Sequence, residues 1–184
     1  VIVKVLTDQP GLYGIGSASD HHHSSTLITA INEIVAPLII GRNAEQIEDI
    51  WQSIYTSAYW RNGSILNTAL AGIDMALWDI KGKVANLPVV ELLGGKFRDR
   101  VAVYTHFYGT TPEESAAQAR RLVEAGYTAL KSGALSSDGY RFDPYEDDGR
   151  PAETAAHYAA VREAVGPDVK LLIDCHGRFT VANC

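Results

Sequence analysis

Beyond about residue 100 the chain alternates short apolar runs with helix-forming stretches, and no other feature restricts its fold as much. Residues 101–104 form a β-branched alternating run. Thr111-Pro112-Glu113-Glu114 then reads as a helix start, with Thr111 capping and Pro112 in the first turn. That helix is expected to run to Ala125 and stop at Gly126. Residues 128–131 read as a second strand, Pro151–Val165 as the next helix and 169–173 as a third strand. The third strand is nearly all apolar, as expected of one buried on both faces. Strand–helix–strand–helix–strand calls for right-handed crossovers and therefore a parallel sheet. Such a sheet is either doubly wound or the first part of a barrel. A closed (β/α)8 barrel takes ~250 residues, so a barrel here would be incomplete.

The first hundred residues have a different rhythm. Residues 1–6 alternate and are β-branched, Asp8-Gln9-Pro10-Gly11 is a turn, and 12–15 return as a second strand, giving a hairpin. The polar stretch 17–25, with His21, His22 and His23, is expected to be a surface loop. Helical periodicity follows over 25–37, 44–57 and 66–85. The last helix is apolar on most sides and should be largely buried. Trp51 and Trp78 lie at helical spacing among aliphatic residues and read as core. Trp60 and Arg61 lie in the loop 59–63, where an exposed aromatic and a cation favour recognition. Gly94-Gly95 closes this α+β unit, so the expected division is 1–100 and 101–184.

Composition narrows the partners. Sixteen Lys and Arg against 22 Asp and Glu give a formal net charge of −6. That balance argues against nucleic acid. No apolar run reaches the ~20 residues that span a bilayer, so a membrane partner is not expected. Cys175 and Cys184 cannot build a disulfide framework, and a cytoplasmic setting is expected. The chain begins at Val1 inside an alternating run and stops at Cys184 just after a helix-starting signal, so it reads as a piece of a longer protein.

In a parallel α/β sheet, chemistry gathers where strands end and the chain turns to the helices. The three strand ends read Tyr104-Thr105-His106, Leu130-Lys131 and Asp174-Cys175-His176-Gly177-Arg178. Each delivers an ionisable group to one rim. A carboxylate such as Asp174 after a buried strand needs a cation or several donors, whether as a cap, in an ion pair or as a metal ligand. His176 lies two residues on, so in extended geometry it points the same way as Asp174. An Asp-x-His pair can hold a metal and place a proton-transfer group beside it. Cys175 should point away and pack. Lys131 is either a structural rim cation or an electrophile or base beside a carboxylate substrate. The histidine triplet is a solvated loop or a substrate-contacting lid. The acidic run 143–148 reads as a solvated loop.

The runs Tyr59-Trp60-Arg61-Asn62-Gly63, Ala71 through Lys83 and Leu92-Leu93-Gly94-Gly95-Lys96 resemble the N-terminal capping domain of the enolase superfamily. The likeness is greatest to the mandelate racemase-like acid-sugar dehydratases. Val103-Tyr104-Thr105-His106 resembles the first barrel strand of the mannonate dehydratase branch. Asp174-Cys175-His176-Gly177-Arg178 resembles the third-strand motif of galactonate dehydratases. The fold so implied is an α+β capping domain followed by an incomplete (β/α)8 barrel holding its first three strands. The implied reaction is Mg2+-dependent dehydration of a sugar acid, an aldonate such as galactonate or mannonate, to a 2-keto-3-deoxy acid through an enediolate.

The same resemblance implies roles residue by residue. Asp174 matches the first of three carboxylate ligands of Mg2+, and His176 the group that protonates the departing hydroxyl. His106 and His21 match substrate contacts, with Arg61 a further substrate-binding candidate. Lys131 matches a basic position that is arginine in the mannonate branch. A catalytic tyrosine of the loop after the second strand corresponds to Tyr140 or Tyr145. Ser132 and Gly133 after Lys131 depart from the double-lysine pattern of racemases, which favours dehydration. The family forms symmetric assemblies, so a homo-oligomer is expected at full length. The alternative is a non-catalytic relative that binds a sugar acid or a partner subunit.

Overall fold

A computed structural model describes residues 1–20, 23–134, 150–177, 179 and 181. Two compact units divide the chain, Val1–Asp99 and Arg100–Cys184. The first opens with the expected hairpin, β1 (Ile2–Leu6) antiparallel to β2 (Tyr13–Ser17), in register Ile2 with Ser17 and Leu6 with Tyr13. Helices α1 (Ser24–Thr29), α2 (Ala36–Ile39), α3 (Ile47–Thr56), α4 (Ser64–Ala85) and α5 (Val89–Leu92) follow.

The helix expected over 25–37 is interrupted. A wide π segment, Ala30–Val35, joins α1 to α2. Pro37 has no N–H, and its ring presses on the carbonyl four residues back, so the turns before it widen. Helix α3 starts three residues later than its periodicity suggests. Asn43 first makes a turn: its Oδ1 accepts from the Glu45 N–H at 3.0 Å and its carbonyl from the Gln46 N–H at 3.1 Å.

Helix α4 is the spine of this unit. It buries Leu70, Ile73, Leu77 and Ile80 against Val3, Leu27, Ile50 and Ile54, with Trp51 and Trp78 packed at the margin. Strand β2 lies so close that a Cβ at Gly16 would come within 1.9 Å of the Gly72 carbonyl oxygen, and one at Gly14 within 1.8 Å of that of Ala76. Asp79 and Lys83 fasten the same contact. Asp79 accepts from the Ile15 N–H at 2.8 Å and from Lys83 Nζ at 2.7 Å, and Nζ also donates to the Tyr13 carbonyl at 2.7 Å. Gly16→Ala should therefore lower stability by about 3 kcal/mol, at the upper end of overpacking effects, because the obstacle is helix backbone that cannot swing aside. Urea unfolding measures it; an unchanged midpoint would contradict the packing of β2 on α4.

The second unit holds a three-stranded parallel sheet in the order β3 (Thr105–His106), β4 (Ala129–Gly133), β5 (Lys170–Asp174). Helices α6 (Pro112–Glu124) and α7 (Pro151–Val165) cover it. Thr111 caps α6, its hydroxyl accepting from the Glu114 N–H at 3.2 Å. Phe107, Ala119, Leu130, Val161 and Val169 make the core between helices and sheet.

Two expectations change here. The first strand is not 101–104 but the two residues after it. Register pairs Thr105 with Leu130, so Tyr104 would meet only the first residue of β4 and 101–103 would face the segment after the turn at Gly126 (φ 98°), before that strand begins. Val101 and Val103 are accordingly exposed. The third strand is not buried on both faces. It has β4 as its one neighbour among the described residues, and Leu172 and Ile173 are exposed by 40% and 43%.

Candidate active site

Strand alternation decides what reaches the uncovered face. Leu130 is fully buried against the helices, so Lys131 faces the opposite side of the sheet. His106 and Leu172 are the in-register neighbours of Lys131 and share that face. Asp174, opposite Gly133, shares it two residues further along.

The side chains meet at Asp174. Lys131 Nζ donates to Asp174 Oδ2 at 2.7 Å, and His176 Nε2 lies 3.0 Å from the same oxygen. The His176 backbone N–H donates to Asp174 Oδ1 at 3.2 Å. This is how His176 comes to Asp174, and it is not by strand alternation. His176 has left the strand and sits at φ 48°, a left-handed turn that an Asx-type bond holds in place. Exposure rises across the group, from 21% for the Lys131 side chain through 35% for Asp174 to 55% for His176, so the imidazole is the member most open to a ligand.

The Lys131 hydrogen bond, helped by the backbone N–H and the side chain of His176, holds the Asp174 carboxyl below the usual carboxylate range. Asp174 in turn raises the Lys131 ammonium above the ordinary lysine range, so Lys131 is a fixed cation at neutral pH. Its Nζ also lies 5.3 Å from the centre of the Tyr104 ring. Tyr104 meets the His106 ring edge-on at 5.5 Å, and His106 stacks on Tyr108 at 6.0 Å. An aromatic row thus extends the polar corner across the strand ends.

Other candidates fall elsewhere. Arg61 lies in the first unit, exposed beside the Tyr55 ring at 5.9 Å. His23 pairs with Asp20, its N–H donating to Oδ1 at 2.9 Å. His21, Tyr140, Tyr145 and Arg178 lie outside the described residues. Cys175 is a free, partly buried thiol. As to metal, the Asp174 carboxylate is a hard oxygen donor of the kind Mg2+ takes. Alone it could offer one ligand, and among the described residues no three metal-ligating side chains cluster.

Sequence reasoning gave Tyr104 no role beyond its place at a strand end, and missed a tyrosine on α7. Tyr158 sends its hydroxyl to the sheet, 2.7 Å from the Ser132 carbonyl and 2.8 Å from that of Leu172, and accepts from the Ser132 N–H at 3.1 Å. Its signal was a hydroxyl on the inward stripe Thr154, His157, Tyr158, Val161 of a helix. Burial pushes this phenol up to about 12. Its unfolded value is ~10, so the folded state binds the proton more tightly. The stability it contributes is whole below pH ~10 and is lost as pH rises toward 12. Alkaline unfolding followed by tyrosinate absorbance should show one phenol ionising with that transition. Ionisation of every tyrosine well before unfolding would contradict it.

An α+β unit followed by parallel strands that gather a carboxylate, an imidazole and an ammonium at their ends defines an α/β protein with an enzyme-like polar corner. Residues 1–94 match the mandelate racemase/muconate lactonizing enzyme N-terminal domain, and 114–184 match the enolase C-terminal domain-like family. The chain belongs to the mandelate racemase/muconate lactonizing enzyme family of the enolase superfamily. A D-galactonate dehydratase family member of Paenibacillus sp. strain JDR-2 is 53% identical over 130 residues, covering 71% of this chain and 32% of its own. A D-mannonate dehydratase of Sphingomonas sp. strain SKA58 is 39% identical over 201 residues, covering 98% of this chain and 49% of its own. The crystal structure of an enolase from Pantoea ananatis with bound D-gluconate and Mg superposes with a TM-score of 0.82 at 38% identity, over 99% of this chain and 51% of its own. Apart from the Paenibacillus protein, of which it covers less, the chain spans about half the length of these relatives.

Proposed function

We propose that this chain supplies the acid-bearing corner of a sugar-acid dehydratase, with Mg2+ as its cofactor and an aldonate as substrate. The observation that carries the reading is the convergence of Lys131 and His176 on one Asp174 oxygen at the ends of β4 and β5. The names of the relatives, D-galactonate and D-mannonate dehydratases, and the gluconate and Mg of the Pantoea structure support it.

Removal of the proton α to a carboxylate leaves negative charge on that carboxylate, and loss of the β-hydroxyl needs a proton. A bound Mg2+ supplies positive charge where the first develops. Asp174 would be its ligand among the described residues, and Lys131, a fixed cation, adds charge beside it. Lys131 serves in this reading as an electrostatic partner of the substrate carboxylate and not as a base. With Nε2 turned to Asp174, His176 keeps Nδ1 to hold the proton that leaves with the hydroxyl. In this reading the parallel strands are the first three of a (β/α)8 barrel, and residues 1–100 are a capping domain of the enolase type. The same reading keeps His106, His21 and Arg61 as substrate-binding candidates and Tyr140 as a candidate for proton transfer.

The 184 residues alone should bind Mg2+ weakly and turn over no aldonate, because one carboxylate makes too small a share of an octahedral oxygen shell. Joining them to the remaining half of the Sphingomonas D-mannonate dehydratase should restore tight Mg2+ binding. Isothermal titration of both chains checks it; tight binding by the 184 residues alone would show that the metal has been misplaced.

A further inference from the structure

Helix α7 and the polar corner lie on opposite faces of the sheet, yet one α7 side chain touches residues at or next to the ends of all three strands. The Tyr158 hydroxyl bonds Ser132, the residue after Lys131, and the carbonyl of Leu172, the in-register neighbour of Lys131 on β5. Its ring meets that of Phe107, the residue after His106, edge-on at 5.4 Å. Phe107 is 1% exposed, and its N–H donates to the Lys131 carbonyl at 3.0 Å. A helix side chain that only filled the core would have no use for a hydroxyl here. Backbone groups of β4 and β5 hold this one at the rung where Lys131 leaves the sheet.

We propose that Tyr158 is the positioning residue of the polar corner: by tying Ser132 to Leu172 from behind, it fixes the separation of β4 and β5 at which Lys131 reaches Asp174. This rests on the reading that Lys131 and Asp174 form the site, and not on the identity of the substrate. The bond between Lys131 Nζ and Asp174 spans the two strands, so a small change in their spacing is enough to break it. Ser115 and His157 make a second buried polar contact in the same helix layer, Oγ to Nδ1 at 2.9 Å, but between α6 and α7. It provides a control, more deeply buried than the Tyr158 bonds, that does not bond the strands. A cavity of about 20 Å³ lies between the two pairs, with room for one water.

The test compares Tyr158→Phe with Ser115→Ala in the 184-residue chain by nuclear magnetic resonance at one neutral pH. Tyr158→Phe keeps the ring against Phe107 and removes the bond. The Ser132 amide should then exchange at least ~10-fold faster. The Lys131 side-chain protons should lose the ring-current shift imposed by Tyr104, and the Asp174 carboxyl carbon should move toward the position of a free aspartate. Ser115→Ala should leave these three signals in place. Faster exchange at Ser132 with the Lys131 and Asp174 signals unmoved would overturn the proposal, leaving Tyr158 a merely structural anchor. So would no change at all, as when a water from the cavity replaces the hydroxyl, or equal changes in Ser115→Ala. A Tyr158→Phe chain without a cooperative melt would overturn it too, since the hydroxyl would then hold the fold and not the corner. None of these readouts involves turnover. Failure of the dehydratase reading would appear instead as an inactive joined chain in which the Lys131 and Asp174 signals still respond to Tyr158→Phe.

Discussion

Replacing His176 by Asn, in the chain joined to the second half of a relative, should lower aldonate dehydration by ~10²–10⁴-fold, the usual contribution of a positioned acid. Mg2+ affinity should change little. Asn keeps roughly the size of the ring and one donor toward Asp174, but it cannot carry a proton at neutral pH. Its backbone N–H still bonds Asp174 Oδ1, so the turn at residue 176 should survive, helped by the tolerance of Asn for left-handed conformations. Turnover measured alongside Mg2+ titration separates the two effects. If His176→Asn lost the metal as badly as a ligand variant, His176 would be a ligand and not the acid.

Asp174→Asn should do the reverse. It removes the formal charge that a hard cation seeks. Loss of outer partners of a metal ligand already costs ~10–100-fold in affinity, so loss of the ligand charge itself should cost at least ~100-fold. It also takes away the carboxylate shared by Lys131 and His176, leaving the ammonium facing a neutral amide. Activity should fall with metal affinity and be partly recovered at high Mg2+, which His176→Asn should not be. Unchanged Mg2+ affinity in Asp174→Asn would remove Asp174 from the metal site.

The polar corner was legible because it depends on local rules. The apolar runs before Lys131 and Asp174 put both at strand ends on one rim, and there they meet. The helix bounds Pro151–Val165 and the Thr111 cap followed from proline, glycine and threonine chemistry of the same local kind. What depends on distant partners was not legible. The extent of β3 is set by where β4 begins, so an apolar run at 101–104 finds no ladder. Exposure of Leu172 and Ile173 is set by how many strands flank β5. The hydroxyl of Tyr158 looks like any core tyrosine until the strands it touches are known. His176 is the instructive case: it arrives at Asp174 as expected, but through a left-handed turn and a backbone bond rather than extended alternation.

The acid role of His176 is decided by formation of 2-keto-3-deoxy acid from galactonate, mannonate and gluconate by the joined chain and by its His176→Asn form, with Mg2+ saturating. The joined chain should convert at least one of the three, and His176→Asn should lose nearly all of that conversion while remaining folded and metal-bound. If His176→Asn kept full turnover on every aldonate the parent uses, the proton would come from elsewhere, and the cluster of Lys131, Asp174 and His176 would be reduced to a metal ligand with its neighbours.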